Sequence, residues 1–268
     1  MRYIRRIIIG LFVVTLIGWG ASTFIFQKNV DKEPPVITAD TDSIKVSVKD
    51  GEEALKQGLK AEDNKDGDLT KDIILGKQTK FVNKGMTKVQ YLVFDSSNNV
   101  GSFTRNVEYT DYTSPVFTLS KPLVYGVGEN VTVLDRLSAV DSIEGDISDK
   151  IKIVSSDVNR SEAGVYLMGI QVSNRFGDVV TAELPVNIIS AGSSVPFLAL
   201  DNYLVTINKG EAFNAGSYLE GVKLTDGSSV NKANVGISGS VDTSTPGTYQ
   251  IIYSYQGGQT SLTVVVRE

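Results

Sequence analysis

Ala61-Glu62-Asp63-Asn64-Lys65-Asp66-Gly67-Asp68-Leu69 returns further along the chain as Ala139-Val140-Asp141-Ser142-Ile143-Glu144-Gly145-Asp146-Ile147. An acidic stretch that closes on Gly-Asp and recurs among other repeated landmarks is the mark of tandem copies of one small unit. Two such landmarks keep the same order. Pro35, Pro115 and Pro196, almost evenly spaced, open the units at Pro34-Pro35-Val36-Ile37, Ser114-Pro115-Val116-Phe117 and Val195-Pro196-Phe197-Leu198. Gly85, Gly164 and Gly247 stand before the long alternating runs 88–95, 165–172 and 248–255. The third unit lacks the acidic landmark and reads Leu224-Thr225-Asp226-Gly227-Ser228 there. Positive φ or close backbone approach is expected at Gly164 and Gly247, so that Gly247→Val costs about 1 kcal/mol or more.

Within each unit the period is 2, as in half-buried strands. Phe103, Arg105, Val107 and Tyr109 share one face, as do Val180, Ala182, Leu184, Val186 and Ile188, and Tyr249, Ile251, Tyr253 and Tyr255. Hairpins are expected through Asp95-Ser96-Ser97-Asn98-Asn99, Asn174-Arg175-Phe176-Gly177-Asp178 and Gln256-Gly257-Gly258-Gln259, because Asn, Asp and Gly tolerate positive φ. Pro185 cannot donate to a ladder, so its strand should lie at an edge or bulge there. Beyond the N-terminal apolar segment only 52–60 reads as helix. Short strands and turns in about 75–80 residues describe a seven-stranded antiparallel sandwich, with units at 34–110, 114–189 and 195–268. Ser190-Ala191-Gly192-Ser193-Ser194 reads as a flexible joint by composition.

Residues 7–26 are 20 consecutive uncharged, mostly apolar residues behind Arg2, Arg5 and Arg6. A bilayer core takes about 20 helical residues to cross, and basic flanks stay cytoplasmic. The expected order is a cytoplasmic basic tail (1–6), a transmembrane signal anchor (7–26), a linker (27–33) and an extracellular remainder. The rival reading is a secretory signal cut after Ser22, although such signals have a shorter apolar core, about 7–15 residues. No Cys follows the run, so no lipid-modified N-terminus is expected.

Residues 1–28 hold four of the 26 basic residues and none of the 31 acidic ones, leaving the rest with a net charge of −9. That balance argues against nucleic acid and anionic lipid as partners. The chain has no Cys, which in an exported protein points to a bacterial envelope without an oxidising periplasm. It has no His either, which removes the usual triads and most zinc sites and leaves only carboxylate-based catalysis to consider. The carboxylates read as solvated surface rather than as a hydrolytic pair.

Several of these pieces match a family pattern of Ala-x-Asp-x-x-Asp-Gly-Asp, Thr-x-x-Pro-Gly-Thr-Tyr, Asp-x-x-Gly-Asn and Thr-Arg-x-Val. The first unit has Ala61–Asp68 and Thr104-Arg105-Asn106-Val107, with Asp95-Ser96-Ser97-Asn98-Asn99 in place of the third piece. The second keeps Glu144-Gly145-Asp146 and Ala163-Gly164-Val165-Tyr166, and the third has Thr243-Ser244-Thr245-Pro246-Gly247-Thr248-Tyr249. The chain resembles the bacterial surface Ig-like repeats first named from pesticidal crystal proteins, most strongly in the first unit. The resemblance implies an Ig-like sandwich in a surface-exposed, mostly bacterial protein. With the repeats and the apolar run, the expected fold is all-β, three tandem Ig-like antiparallel sandwiches preceded by one N-terminal transmembrane helix. It implies no catalytic residue.

The segment 62–68 invites a calcium reading, since hard cations take clustered carboxylates. In the register of a helix-loop-helix calcium loop, position one is Glu62 and position twelve is Ile73, where a bidentate Glu is required. A tight turn capped by Asp is expected instead, and the loop with Asp141, Glu144 and Asp146 reads alike. No catalytic, cofactor or metal residue is therefore expected, and the exterior part should fold without calcium. The functional expectation is a membrane-anchored bacterial surface protein, held by residues 7–26, whose repeats are a non-catalytic stalk and an adhesion module for a surface protein or glycan. The alternative is an accessory subunit of an envelope assembly or export machine.

Overall fold

The computed structural model describes residues 2–29, 31–190 and 195–268. The central residues of the expected joint, 191–194, lie outside them, as do Met1 of the basic tail and Val30 of the linker. Helix α1 (Arg2–Asn29) contains the whole apolar run. From Tyr3 to Ala21 it has a mean hydropathy of 1.7 and is long and apolar enough to cross a membrane, with its side chains exposed along that length.

The remainder is β-structure. The first sandwich comprises β1 (Val36–Ala39), β2 (Ser43–Val46), β3 (Leu59–Asp63), β4 (Gly67–Asp68), β5 (Ile74–Gln78), β6 (Met86–Phe94) and β7 (Val100–Tyr109), with a short helix α2 (Glu52–Lys56) after β2. Its sheets run β1-β3-β4 and β2-β7-β6-β5. The second comprises β8 (Val116–Leu119), β9 (Val124–Gly126), β10 (Leu137–Asp141), β11 (Gly145–Asp146), β12 (Lys152–Ser156), β13 (Gly164–Ser173) and β14 (Val179–Ile189), in sheets β11-β10-β8 and β12-β13-β14-β9. The third comprises β15 (Phe197–Leu200), β16 (Leu204–Asn208), β17 (Leu219–Lys223), β18 (Gly236–Ser238), β19 (Gly247–Tyr255) and β20 (Gly258–Arg267), in sheets β15-β17 and β16-β20-β19-β18. The missing seventh strand is the Gly-Asp strand, β4 or β11, whose landmark the third unit lacks.

The larger sheet of each sandwich is mixed rather than purely antiparallel. In each sandwich the second strand pairs in parallel with the last: β2 with β7, β9 with β14, β16 with β20. The cause is a change of sheet. β1 lies antiparallel to β3, the chain bends at residues 40–42, and β2 continues in the other sheet beside the last strand. One run of chain thereby ties both sheets together.

Alternation sorts the faces as expected. Arg105, Val107 and Tyr109 are buried on β7, and Ala182, Leu184, Val186 and Ile188 on β14. Ile251 and Tyr253 are buried on β19, with Tyr249 and Tyr255 packed against that core. Arg105 keeps its charge satisfied in the interior: its Nε donates to Tyr91 Oη (3.2 Å) and its guanidinium to Leu55 O. Pro185 sits opposite Leu167, in a strand that is interior only at its far end, because β9 pairs with residues 187–189 alone. Helix α2 is shorter than 52–60: Gly58 turns to φ +74° and β3 begins at Leu59.

The chain falls into two compact units, one holding the first sandwich and the other the second and third sandwiches with residues 47–49 and 80–85. In the latter the two sandwiches share a continuous core from Phe117 to Val266, and Gln250 Nε2 donates to Glu183 O at 3.3 Å.

Gly85 takes φ +77°, but Gly164 and Gly247 keep ordinary φ. A Cβ added there would meet only the ring of the tyrosine two positions on, at 3.4 Å (Tyr166) and 3.6 Å (Tyr249). The strain expected at these two glycines is absent. They make room for tyrosines whose hydroxyls reach back along the chain, Tyr166 Oη to Glu162 O (3.0 Å) and Tyr249 Oη to Thr245 O (2.8 Å). The close approaches are elsewhere. A Cβ on Gly101 would lie 2.0 Å from Pro35 O, and one on Gly258 2.2 Å from Pro196 O, so the marker prolines press on the last strand of their own sandwich.

Gly101→Ala should therefore destabilise the chain by about 1–3 kcal/mol through overpacking, while Gly247→Ala leaves the melting temperature nearly unchanged. Tyr249→Phe should cost about 0.5–1.5 kcal/mol for one lost hydrogen bond. Thermal melts of the three variants check both expectations.

Candidate metal centre

Three acids meet at one end of the first sandwich: Asp31, Asp63 and Asp95 each offer a carboxylate oxygen, no more than 4.8 Å apart. They come from three places in the chain. Asp63 ends β3, Asp95 follows β6, and Asp31 precedes β1.

Backbone chemistry holds each in place. Asp63 Oδ1 accepts from Lys65 N and Asp66 N, both at 2.9 Å, turning the chain toward β4. These donors, Asp66 N first, hold the Asp63 carboxyl below the usual carboxylate range. Asp95 Oδ1 accepts from Ser97 N (2.9 Å) and Asn99 N (2.7 Å), closing the β6–β7 hairpin, and its Oδ2 takes Asn99 Nδ2 at 2.6 Å. Asp31 Oδ1 accepts from Glu33 N at 3.0 Å. Asn99 Nδ2 also donates to Asp31 O at 3.2 Å, joining the hairpin to the segment before β1.

The remaining oxygens are not matched. Asp31 and Asp95 are each only 6% exposed, and Asp31 Oδ2 and Asp63 Oδ2 are buried with no hydrogen-bond donor. Lys65 Nζ stands 3.8 Å from Asp31 Oδ2 on a half-exposed side chain, beyond hydrogen-bond length. Two like charges 4.8 Å apart repel by about 3–4 kcal/mol at an effective dielectric of about 20.

The same place in the second sandwich is an internal comparison. Asp141 repeats Asp63, its Oδ1 accepting from Ile143 N and Glu144 N at 2.9 Å. Asn174 stands where the first sandwich has Asp95, its Oδ1 accepting from Phe176 N and Asp178 N at 3.0 Å. Here the second oxygen of Asp141 finds a donor: Asn174 Nδ2 donates to Asp141 Oδ2 at 2.9 Å. Nearby, Tyr112 Oη and Ser114 Oγ donate to Asp178 Oδ2, each at 2.7 Å. Burial, then the Asp178 carboxylate, push the Tyr112 hydroxyl well above its ordinary range, so it remains a donor. In the third sandwich the position of Asp63 is taken by Leu224, just past β17, so that carboxylate has no counterpart there.

Of the acids singled out in the sequence, only Asp63 joins the cluster. Asp66 accepts from Ser96 N (2.7 Å) and Ser96 Oγ (2.9 Å), and Asp68 caps Thr70 N (2.9 Å), its carboxyl lowered by the Thr70 hydroxyl and amide. Ile73, which fell on the twelfth ligand position, is core at 1% exposure. In the second loop Glu144 binds Lys150 at 2.6 Å and Asp146 caps Ser148 N at 2.9 Å. Asp31 and Asp95 escaped the sequence reading because it looked for ligands contiguous with Asp63. The signal was the hairpin Asp95–Asn99, whose first residue lies at the same sandwich end as the opening prolines.

Residues 205–266 match the bacterial Ig-like domain (group 3). The matched segment is the unit whose motifs look weakest by eye. The chain is 28% identical to the pesticidal crystal protein Cry22Aa of Bacillus thuringiensis, over 73% of this chain and 27% of that protein. It is 26% identical to an 81.3 kDa protein of Acholeplasma phage L2, over 72% of this chain and 26% of that protein. The chain thus spans about a quarter of each relative. Among solved structures, CBM51-2 in complex with GlcNAc and INT domains from Clostridium perfringens ZmpB align over 32% of this chain and 21% of that one, with 19% identity and a TM-score of 0.27, too low to carry an argument. The family match over residues 205–266 and the two relatives agree with the motifs in supporting a bacterial Ig-like repeat family.

Proposed function

We propose that the chain is a membrane-anchored bacterial surface protein, with residues 7–26 spanning the membrane and the sandwiches outside, acting as a non-catalytic stalk and as a module that binds a surface protein or glycan. The carrying observation is the order of parts. A helix of membrane-crossing length, with Arg2, Arg5 and Arg6 ahead of its apolar run, is followed among the described residues by Ig-like sandwiches alone. Basic residues on one flank orient such a helix with that flank in the cytoplasm. Domains of this family are usually extracellular and generally non-catalytic, which supports the same reading.

The shared core of the second and third sandwiches suits a stalk, because a continuous packed core resists bending where a bare linker does not. The cleft between these two sandwiches, about 140 Å³ and lined by Leu123, Val165, Leu167, Pro185 and Ile252 with a few neutral polar groups, offers no acid–base pair for catalysis.

Protease added to intact protoplasts should digest the chain beyond about residue 30 and spare the N-terminal segment, as read by an epitope placed before Arg2. A mature protein that begins near Thr23, or an N-terminal epitope that is digested, would contradict the anchored topology.

A further inference from the structure

We propose that Asp31, Asp63 and Asp95 form a hard divalent-cation site, of the calcium class, in the first sandwich. The cluster of acids is the first observation. The second is that Asp31, 6% exposed, aims an oxygen into it that no hydrogen-bond donor meets, and Asp63 does the same. Buried polar atoms are almost always paired, so two unmet carboxylate oxygens side by side identify a place for a cation.

The spacing fits. Calcium binds oxygen at about 2.3–2.6 Å, so two oxygens on one ion stand at most about 5 Å apart, and these three lie within 4.8 Å. Magnesium, with bonds of about 2.0–2.1 Å and octahedral demands, would have to draw the widest pair closer. Lys65 does not replace the ion: one ammonium against three carboxylates leaves a net charge of −2 on these four groups, and it stops at 3.8 Å.

The site is also organised for binding. All three acids use Oδ1 to accept backbone N–H groups, which fixes the carboxylates before any ion arrives. Because the ligands lie before β1, after β3 and after β6, one ion would fasten the segment that follows α1 to two turns of the sandwich. The second sandwich shows the other solution to the same geometry, with the Asn174 amide donating to Asp141 Oδ2 and to the Tyr112 hydroxyl. Calcium should therefore act on the first sandwich alone.

The test is calorimetric titration of the full chain in detergent micelles with CaCl2 and, separately, MgCl2, at about 0.15 M NaCl to suppress diffuse surface binding. One site per chain is expected, with a Kd of about 10⁻⁴–10⁻³ M and weaker magnesium binding. Asp31→Asn and Asp95→Asn should each weaken calcium binding at least tenfold, while Asp226→Asn, in the third sandwich, leaves it unchanged. Asp31 lies ahead of β1, so its variant decides the matter if Asp95→Asn disturbs the hairpin. No saturable calcium binding below about 10 mM, tighter binding of magnesium, or calcium binding that survives Asp31→Asn would each overturn the proposal.

Discussion

A carboxylate that caps a turn has spent one oxygen, and the fate of the other shapes this protein. The amides of a tight turn need acceptors, and buried backbone donors are seldom left unmet. Asp63 and Asp141 meet them with Oδ1 at the same turn, and Asp95 and Asn174 do so at the next hairpin. The sandwich brings those two turns to one end, so their second atoms face each other. With an aspartate and an asparagine the meeting is a hydrogen bond, as between Asn174 and Asp141. With two aspartates and Asp31 beside them it is a concentration of negative charge. An aspartate in place of that asparagine, together with Asp31, puts the proposed ligand set where the second sandwich has a hydrogen bond.

Much of the fold was legible because period 2 and turn chemistry act locally. The faces of β7, β14 and β19 follow directly from alternation, and the hairpins form where Asn98, Gly177 and Gly257 supply positive φ. What escaped was non-local. The parallel pairing of β2, β9 and β16 with the last strands follows from a change of sheet, which no pattern within a single strand records. Gly101 and Gly258 look like ordinary hairpin glycines until the opening prolines, distant in sequence, are seen pressing on them. The acid cluster failed to show for the same reason: Asp31, Asp63 and Asp95 stand far apart along the chain, and the contiguous acids between them cap turns instead.

The three sandwiches have diverged around one frame. Each keeps the sheet change and the long terminal hairpin, and two keep the tyrosine that reaches back across a glycine. They differ at the loop end, where the first gathers three carboxylates, the second meets Asp141 with an amide, and the third has Leu224 in place of Asp63. The proposed stalk would gain from that division. Sandwiches that share a core, as the second and third do, need no ion to hold them, whereas the segment after an apolar helix has little core of its own and profits from a cross-link.

The most direct test of this account is amide hydrogen exchange on the full chain, with and without calcium. The account predicts slower exchange with calcium at Glu33, Lys65, Asp66, Ser97 and Asn99, whose amides bond the three acids, and no change at Ile143, Glu144, Phe176 and Asp178, their counterparts in the second sandwich. Equal protection in both sandwiches, or none in the first, would contradict it.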